Sequence, residues 1–219
     1  EAKHASLAAQ SYHHGDLRNK LIQISTEMIR EAGVGALSLR KLAEKAGVSR
    51  TAPYHHFKDK NDLLASVAEE GFVTLTAFLQ RSVPDKARDA VNSIDDITSD
   101  RTLLKRRLAQ TVDNYIEFAV ENRTQYELMF GSELWRKSPS ERLQRTAKDC
   151  FRQYANLIAD FHLAGLLKAD EEPLRLAQVM WSTLHGLVKL SHDGIFVRQD
   201  DLSEISQYAL SKLIQMIES

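Results

Sequence analysis

Residues 36–64 read ALSLRKLAEKAGVSRTAPYHHFKDKNDLL, and the organisation of the whole chain follows from this stretch. Ser38 can cap a helix, because its side-chain oxygen can take a free amide of the first turn. Leu39, Leu42, Ala43 and Ala46 then recur at helical spacing, so one side of Arg40–Ala46 faces a core. Gly47 stops that helix, since glycine accepts the left-handed conformation. Val48 fills the turn, and Ser49 is placed to cap a second helix carrying Arg50, Thr51, Tyr54, His55 and His56. Pro53 would be the fourth residue inside it and would lose only the bond to the cap carbonyl, which predicts a slightly distorted but intact helix. A helix, a turn of three to four residues and a helix commonly present the second helix to the DNA major groove. The same spacing also fits a plain helix pair in an all-helical domain.

Local charge separates these readings. His13–Ala65 holds nine Lys or Arg against six Asp or Glu, with four histidines in the same span, although the chain as a whole carries 29 basic and 30 acidic residues. A basic end on a near-neutral protein is an electrostatic footprint that the total charge hides. With 219 residues, the chain can bury roughly 70% of its unfolded surface, enough for a sizeable core. Only 4 prolines and 9 glycines interrupt it, and few runs alternate with period two, so the expected fold is all-α with about nine helices. The lone cysteine, Cys150, excludes an internal disulfide framework. Together with the lack of a long apolar run or secretory leader it points to the cytoplasm.

Outward from the opening stretch, residues 1–15 are polar and read as a flexible arm. Asp16 is a candidate cap for a first helix from Leu17 to about Ala32, ended by Gly33 and Gly35. Asp59 or Asn61 begins a longer helix to about Gln80, whose start belongs to the basic unit and whose end belongs to the next domain. The predicted division is therefore 1–62, arm and helix-turn-helix head, and 63–219, a larger helical domain. Ser82–Asp100 is polar, with a short helical turn around Ala87–Ile94. Further helices are expected over Thr102–Val120 and Thr124–Trp135, over a segment capped by Ser138 to about Ala164, and from Asp170 or Glu171 through Val188.

The last two helices are apolar on more than one side. Leu176, Met180 and Leu187 form a second stripe on the penultimate helix. The final helix carries Leu202, Ile205, Ala209 and Leu213 beside Leu210, Ile214 and Ile217. Apolar faces on both sides need cover on both sides. A symmetric helical dimer supplies it, as would a central position in a larger monomer.

The segment LRKLAEKAGVSRTAPYHHFKDKNDLL, Leu39–Leu64, resembles the tetracycline-repressor-like (TetR/AcrR-like) family of bacterial transcription regulators. Within it the chain is most similar to a subgroup with YHHGDLR, here Tyr12–Arg18, and a Trp-x-x-x-His-Gly (WHG) pattern, here Trp181, His185 and Gly186. The resemblance covers both ends of the chain, while 83–170 rest on helix count and length. It implies a homodimer built from the last two helices, a palindromic double-stranded DNA operator, and a small, partly apolar effector in the C-terminal domain that releases DNA. Repression is the usual outcome in that family, and some relatives activate.

Mapped onto this sequence, the resemblance places Arg40, Arg50, Thr51, Ala52 and His55 at base edges and Ser38, Tyr54, His56 and Lys60 at phosphates. Arginine can grip guanine with two bonds, and the methyl groups of Thr51 and Ala52 suit thymine. Ala52 and Pro53 stand where the family more often has glycine and a larger apolar residue, which alters the expected insertion angle. Tyr54 also fits a half-buried core aromatic, and His56 also fits a partner for free helix carbonyls. Effector-lining candidates are Phe118, Tyr126, Met129, Phe130, Trp135, Tyr154, Trp181 and His185, residue types that equally fill a helical core. No metal or cofactor is expected, because the paired histidines lack acidic or cysteine companions at useful spacing. No GxSxG, GxGxxG, P-loop or HExxH occurs, so the chain does not read as an enzyme. A helical enzyme or a protein-interaction module remains the competing class, but neither needs a basic trihelical head.

Overall fold

The computed structural model describes residues 2–81, 101–136 and 139–218, with side chains described from 17 onward apart from 101, 102, 213 and 216–218. The turn expected around Ala87–Ile94 and the Ser138 cap lie outside the described residues. So do the side chains of Lys3, His4, His13, His14, Asp16, Leu213, Met216 and Ile217. Among the described residues every regular element is helical, and no helix is long and apolar enough to cross a membrane.

Helix α1 runs Ala2–Ala36. The arm expected over 1–15 is thus helical from Ala2 onward, and Asp16 lies inside the helix instead of opening it. Alanines and leucine between Ala2 and Ala9 favour this, with no proline to prevent it. The helical path breaks at Gly33, where φ is 75° and ψ 167°, a conformation that glycine adopts without a Cβ penalty. Helix α2, Leu39–Ala46, is bounded as its sequence dictates. The Ser38 hydroxyl accepts from Lys41 N at 3.2 Å, and Gly47 takes the left-handed conformation with φ 69°. The amides of Gly47 and Val48 return to the carbonyls of Glu44 and Ala43, closing the helix end.

The second helix of the pair departs from expectation. It is a single 3-10 turn, Ala52–His55, with no side-chain cap. Pro53 has no amide to give the Ser49 carbonyl, which accepts instead from Ala52 N at 3.0 Å, and Tyr54 N likewise reaches Thr51 O at 3.0 Å. Those bonds close one residue early, so the segment winds tighter than an α-helix. Helix α3, Lys60–Gln80, starts at a reciprocal cap. Asp59 Oδ1 accepts from Asp62 N, and Asp62 Oδ2 accepts from Lys58 N, each at 2.9 Å.

Helix α4 spans Arg101–Glu121. The single helix expected over 124–135 is two, α5 at Arg123–Met129 and α6 at Ser132–Arg136. They part at Gly131, where a Cβ would stand 2.8 Å from the Glu127 carbonyl oxygen. Ser140 caps α7, Glu141–Leu163, through Leu143 N at 3.2 Å. Helix α8 is Pro173–His192, with proline in its first turn, where its missing amide costs nothing. A 3-10 turn at Gln199–Asp201 leads into α9, Leu202–Glu218.

The chain divides into two compact units, Glu1–Gly71 with Thr124–Arg145, and Phe72–Arg123 with Thr146–Ser219. In the first, Leu21, Leu37, Leu42, Phe57, Leu63 and Val67 form a closed core, each burial stabilising by about 1.5–3 kcal/mol. Arg18 donates to Ser66 Oγ at 3.1 Å and lays its guanidinium 5.6 Å from the Phe57 ring centre, joining α1 to α3. In the second unit α4, α8 and α9 pack on one another. Gln207 Nε2 donates to Ala109 O at 3.0 Å and to Asp113 Oδ1 at 2.8 Å, fixing α9 on α4. Buried Asn114 donates to Phe78 O at 2.9 Å.

Candidate functional site

The segment after α2 is held from below and open above. Pro53 and Phe57 are buried, whereas Arg40, Arg50, Thr51, Tyr54 and His55 are exposed and Ala52, Ser38 and His56 half-exposed. Tyr54 keeps 58% of its surface in contact with solvent, so it is not a core aromatic. The base-edge candidates therefore lie on one short, rigidly footed stretch, flanked by Arg40 at the start of α2. The phosphate candidates divide by geometry. Ser38 uses its hydroxyl as a helix cap, and Lys60 donates its ammonium to Val34 O at 2.6 Å, pinning the end of α1 to the start of α3. Tyr54 and His56 sit on the same stretch as the base-edge group. Lys45 is engaged with Glu31 at 2.8 Å, an exposed pair that holds that carboxylate below its usual pKa, first through the hydrogen bond and then through charge.

The eight effector candidates fall into two groups. Tyr126, Met129, Phe130 and Trp135 belong to the first unit. There the rings of Tyr126 and Phe130 are 4.8 Å apart, Trp135 donates its indole N–H to Met129 O at 2.7 Å, and Met129 packs over Gly71. Phe118, Tyr154, Trp181 and His185 belong to the second unit. Half-buried Trp181 is the hub of that unit's aromatic cluster, with Tyr115, Tyr154 and Phe151 at 5.1, 5.2 and 5.6 Å, each edge to face. Phe118 stands apart from the hub and packs edge to face with Phe78 at 5.6 Å.

Tyr115 and Phe151 belong to this cluster but were not among the effector candidates. The three-residue spacing of Phe151 and Tyr154 on one helix was the available signal. Tyr154 is almost wholly buried, and its hydroxyl has no hydrogen-bond partner among the described residues. Burial alone pushes its pKa above the usual phenol range. A buried donor without a partner calls for a reason, and a ligand acceptor supplies one. His185, one turn beyond Trp181, is held below its usual pKa by burial and then by the charge of Lys189. Cys150 is buried and its thiol is pushed up to about 11, mainly by desolvation, which removes it as a nucleophile. Among the described residues no group of three or more His, Cys, Asp or Glu is placed to hold a metal ion.

On the last two helices, Leu176, Met180, Leu202 and Leu210 are buried within the chain itself, where α4 covers part of both helices. Leu187, Ile205, Ala209 and Ile214 remain half-exposed, joined by exposed Leu174, Val179 and Tyr208. An apolar face is thus left over after the chain has covered the other.

Comparison with known proteins accounts for this combination. Residues 21–67 match the family model described as bacterial regulatory proteins, tetR family. Residues 108–213 match the C-terminal domain described as tetracyclin repressor-like. The chain is a TetR-family transcriptional regulator. It is 25% identical over 215 residues to the HTH-type transcriptional regulator AcrR of Shigella flexneri, covering 92% of this chain and 89% of that one. To the HTH-type transcriptional repressor Rv1474c of Mycobacterium tuberculosis it is 28% identical, covering 74% and 88%. A Rhodococcus sp. RHA1 structure of unknown function superposes with a TM-score of 0.74 at 28% identity, covering 96% of this chain and 100% of the other. SmeT, the repressor of the Stenotrophomonas maltophilia multidrug efflux pump SmeDEF, shares the fold with a TM-score of 0.64 at 20% identity, covering 91% and 89%. The exposed stretch Arg50–His55 of this regulator thus lies inside its family-matched DNA-binding domain, and the Trp181 cluster lies in its C-terminal domain.

Proposed function

We propose that this regulator represses transcription as a cytoplasmic homodimer on a palindromic operator and lets go of DNA when a small, partly apolar effector binds its C-terminal domain. The observation that carries the reading is the exposed, basic Arg40 and Arg50 beside Thr51, Tyr54 and His55 on a stretch footed by buried Pro53 and Phe57. In this reading Arg40, Arg50, Thr51, Ala52 and His55 meet bases, and Tyr54 and His56 meet phosphates. The head occupies residues 1–62, with α3 carrying motion from it into 63–219. The partner protomer covers the half-exposed Leu187, Ile205, Ala209 and Ile214 together with Leu174, Val179 and Tyr208.

The effector lies against the Trp181–Tyr154 cluster, where the Tyr154 hydroxyl donates to an acceptor on an otherwise flat, apolar molecule. Trp181, His185 and Gly186 form the Trp-x-x-x-His-Gly pattern of the subgroup, with its tryptophan at the hub of that site.

Selection of bound duplexes from a random pool tests the reading. The expected product is an inverted repeat whose affinity falls steeply with salt, since each phosphate neutralised contributes about −0.9 to the slope of log K on log salt. Arg50→Ala relaxes base preference at one position of each half-site, at roughly 1–3 kcal/mol per lost bidentate contact. A folded dimer that retains no duplex at low salt refutes it.

A further inference from the structure

Ser49 was expected to cap the second helix of the pair, and it does not. The 3-10 turn that follows it has no side-chain cap, and the Ser49 hydroxyl lies instead 3.2 Å from the hydroxyl of Thr51. Both residues are exposed, and no other hydrogen bond of either hydroxyl occurs among the described residues.

The backbone beneath this pair is fixed at both residues. The Ser49 carbonyl accepts from Ala52 N and the Thr51 carbonyl from Tyr54 N, each at 3.0 Å, over buried Pro53 and Phe57. Threonine is branched at Cβ, so holding its oxygen also sets its methyl group in one staggered position. The two oxygens therefore form a preset pair at the entry to the second element, where a helix-turn-helix brings side chains to base edges.

Proton counting decides which edge the pair matches. Two hydroxyls carry two protons, and their mutual bond uses one. The oxygen that accepts keeps an outward proton, and the oxygen that donates keeps outward lone pairs. Either hydroxyl can take either role. Adenine shows the major groove the complement on neighbouring atoms, an N6 amino donor beside an N7 acceptor. Guanine shows O6 and N7, both acceptors, so the two hydroxyls could answer it only by giving up the bond between them. Thymine offers one acceptor and a methyl group, and cytosine one donor, so each leaves half of the pair unanswered.

We propose that Ser49 is a specificity-determining residue of this regulator, and that with Thr51 it reads one adenine in each half-site, as a single asparagine or glutamine side chain does elsewhere. The assignment rests on the proposed function, in which Thr51 meets a base edge.

Duplex selection with the full chain, followed by anisotropy titration of the selected duplex and its single-position variants, tests it. One position of each half-site should be adenine. Guanine there in one half-site should weaken binding roughly fivefold, the worth of one neutral hydrogen bond. Ser49→Ala and Thr51→Val should each abolish that preference, and the double variant should go no further, because neither oxygen makes the pair alone. Thr51→Val keeps the branched shape and removes only the oxygen, which separates the pair from a methyl contact to thymine. Ser49→Thr restores a hydroxyl and should retain the preference. Attachment to an unrelated duplex at low salt should be unchanged in every variant, since phosphate contacts supply it.

Wild-type adenine preference in Ser49→Ala overturns the role of Ser49. A thymine preference that survives in Thr51→Val overturns the hydroxyl pair. Equal weakening of Ser49→Ala on selected and unrelated duplexes would make Ser49 a structural residue and overturns the assignment as well. If the wild-type chain retains no duplex, the regulator reading falls and this assignment with it; a retained duplex whose base preferences neither variant moves removes this assignment alone.

Discussion

Phenylalanine in place of Tyr154 is expected to make the free protein more stable, the reverse of what this substitution does to an ordinary hydrogen-bonded tyrosine. The ring is 2% exposed and keeps its edge-to-face neighbour Trp181 at 5.2 Å and Phe151 at 6.4 Å, none of which depends on the hydroxyl. That hydroxyl is buried with no partner among the described residues, and such a group costs about 1–3 kcal/mol of desolvation. Removing one oxygen leaves only a small void, so a net gain of about 1–2 kcal/mol remains after its lost contacts are subtracted. In a chain of 219 residues, each kcal/mol moves the midpoint by about 2–4 °C, which gives a rise of roughly 2–8 °C. Scanning calorimetry and urea unfolding followed by tryptophan fluorescence both read this. A satisfied tyrosine would instead lose about 0.5–1.5 kcal/mol, so the sign alone decides. A fall in the midpoint would show that the hydroxyl is bonded in the free protein, and the argument for a ligand acceptor at Tyr154 would be lost. The same variant should bind an operator-releasing compound roughly fivefold more weakly, the worth of one neutral hydrogen bond.

Two further outcomes follow from single contacts. Lys60→Met removes the ammonium bonded to Val34 O at 2.6 Å and should cost about 1–2 kcal/mol in urea unfolding, because hydrogen bonds to charged groups exceed neutral ones. Unchanged stability with weakened duplex binding would make Lys60 a phosphate contact and nothing more. His185 is held below the usual 6.5 by burial and by Lys189, so the unfolded chain takes up its proton at higher pH than the folded one. Its contribution is therefore complete above about pH 6.5 and is lost as pH falls toward the folded value. His185→Gln should flatten that part of the stability profile, measured by urea midpoints from about pH 5 to about pH 8; an unchanged slope would assign the pH dependence to other groups.

The helix boundaries that rest on local chemistry were legible residue by residue. Ser38 and Gly47 cap α2 as their types dictate, and Asp59 opens α3, because a cap needs only a side chain within three residues of its amide. Where neighbouring effects compete, reading the chain alone misjudged the result. Pro53 was expected to cost one hydrogen bond, but the vacated Ser49 carbonyl was taken by Ala52 and the helix tightened to a 3-10 turn. The helix expected over 124–135 breaks at Gly131, where the Glu127 carbonyl leaves no room for a Cβ, so the break as built accepts glycine and not a larger residue. Of the eight effector candidates, Phe118, Tyr126, Met129 and Tyr154 are buried, whereas Phe130, Trp135, Trp181 and His185 are half-exposed. Their partition into Tyr126, Met129, Phe130 and Trp135 in one unit and Phe118, Tyr154, Trp181 and His185 in the other was not readable, because helical periodicity gives a face but not its neighbour.

Taken alone, the sequence determined an all-helical chain with a capped helix pair, a basic head and two final helices richer in apolar residues than one stripe requires. These properties depend on spacings of three to five residues and on side-chain type, which the chain carries locally. Tertiary structure decided what each face meets. It buried Leu176, Met180, Leu202 and Leu210 within the chain, left the Tyr154 hydroxyl without a partner, and drew Asp59, Asp62, Glu127 and Glu133 around one cavity from segments some 65 to 75 residues apart. Contacts at that separation are set by how helices pack, and no local pattern encodes them.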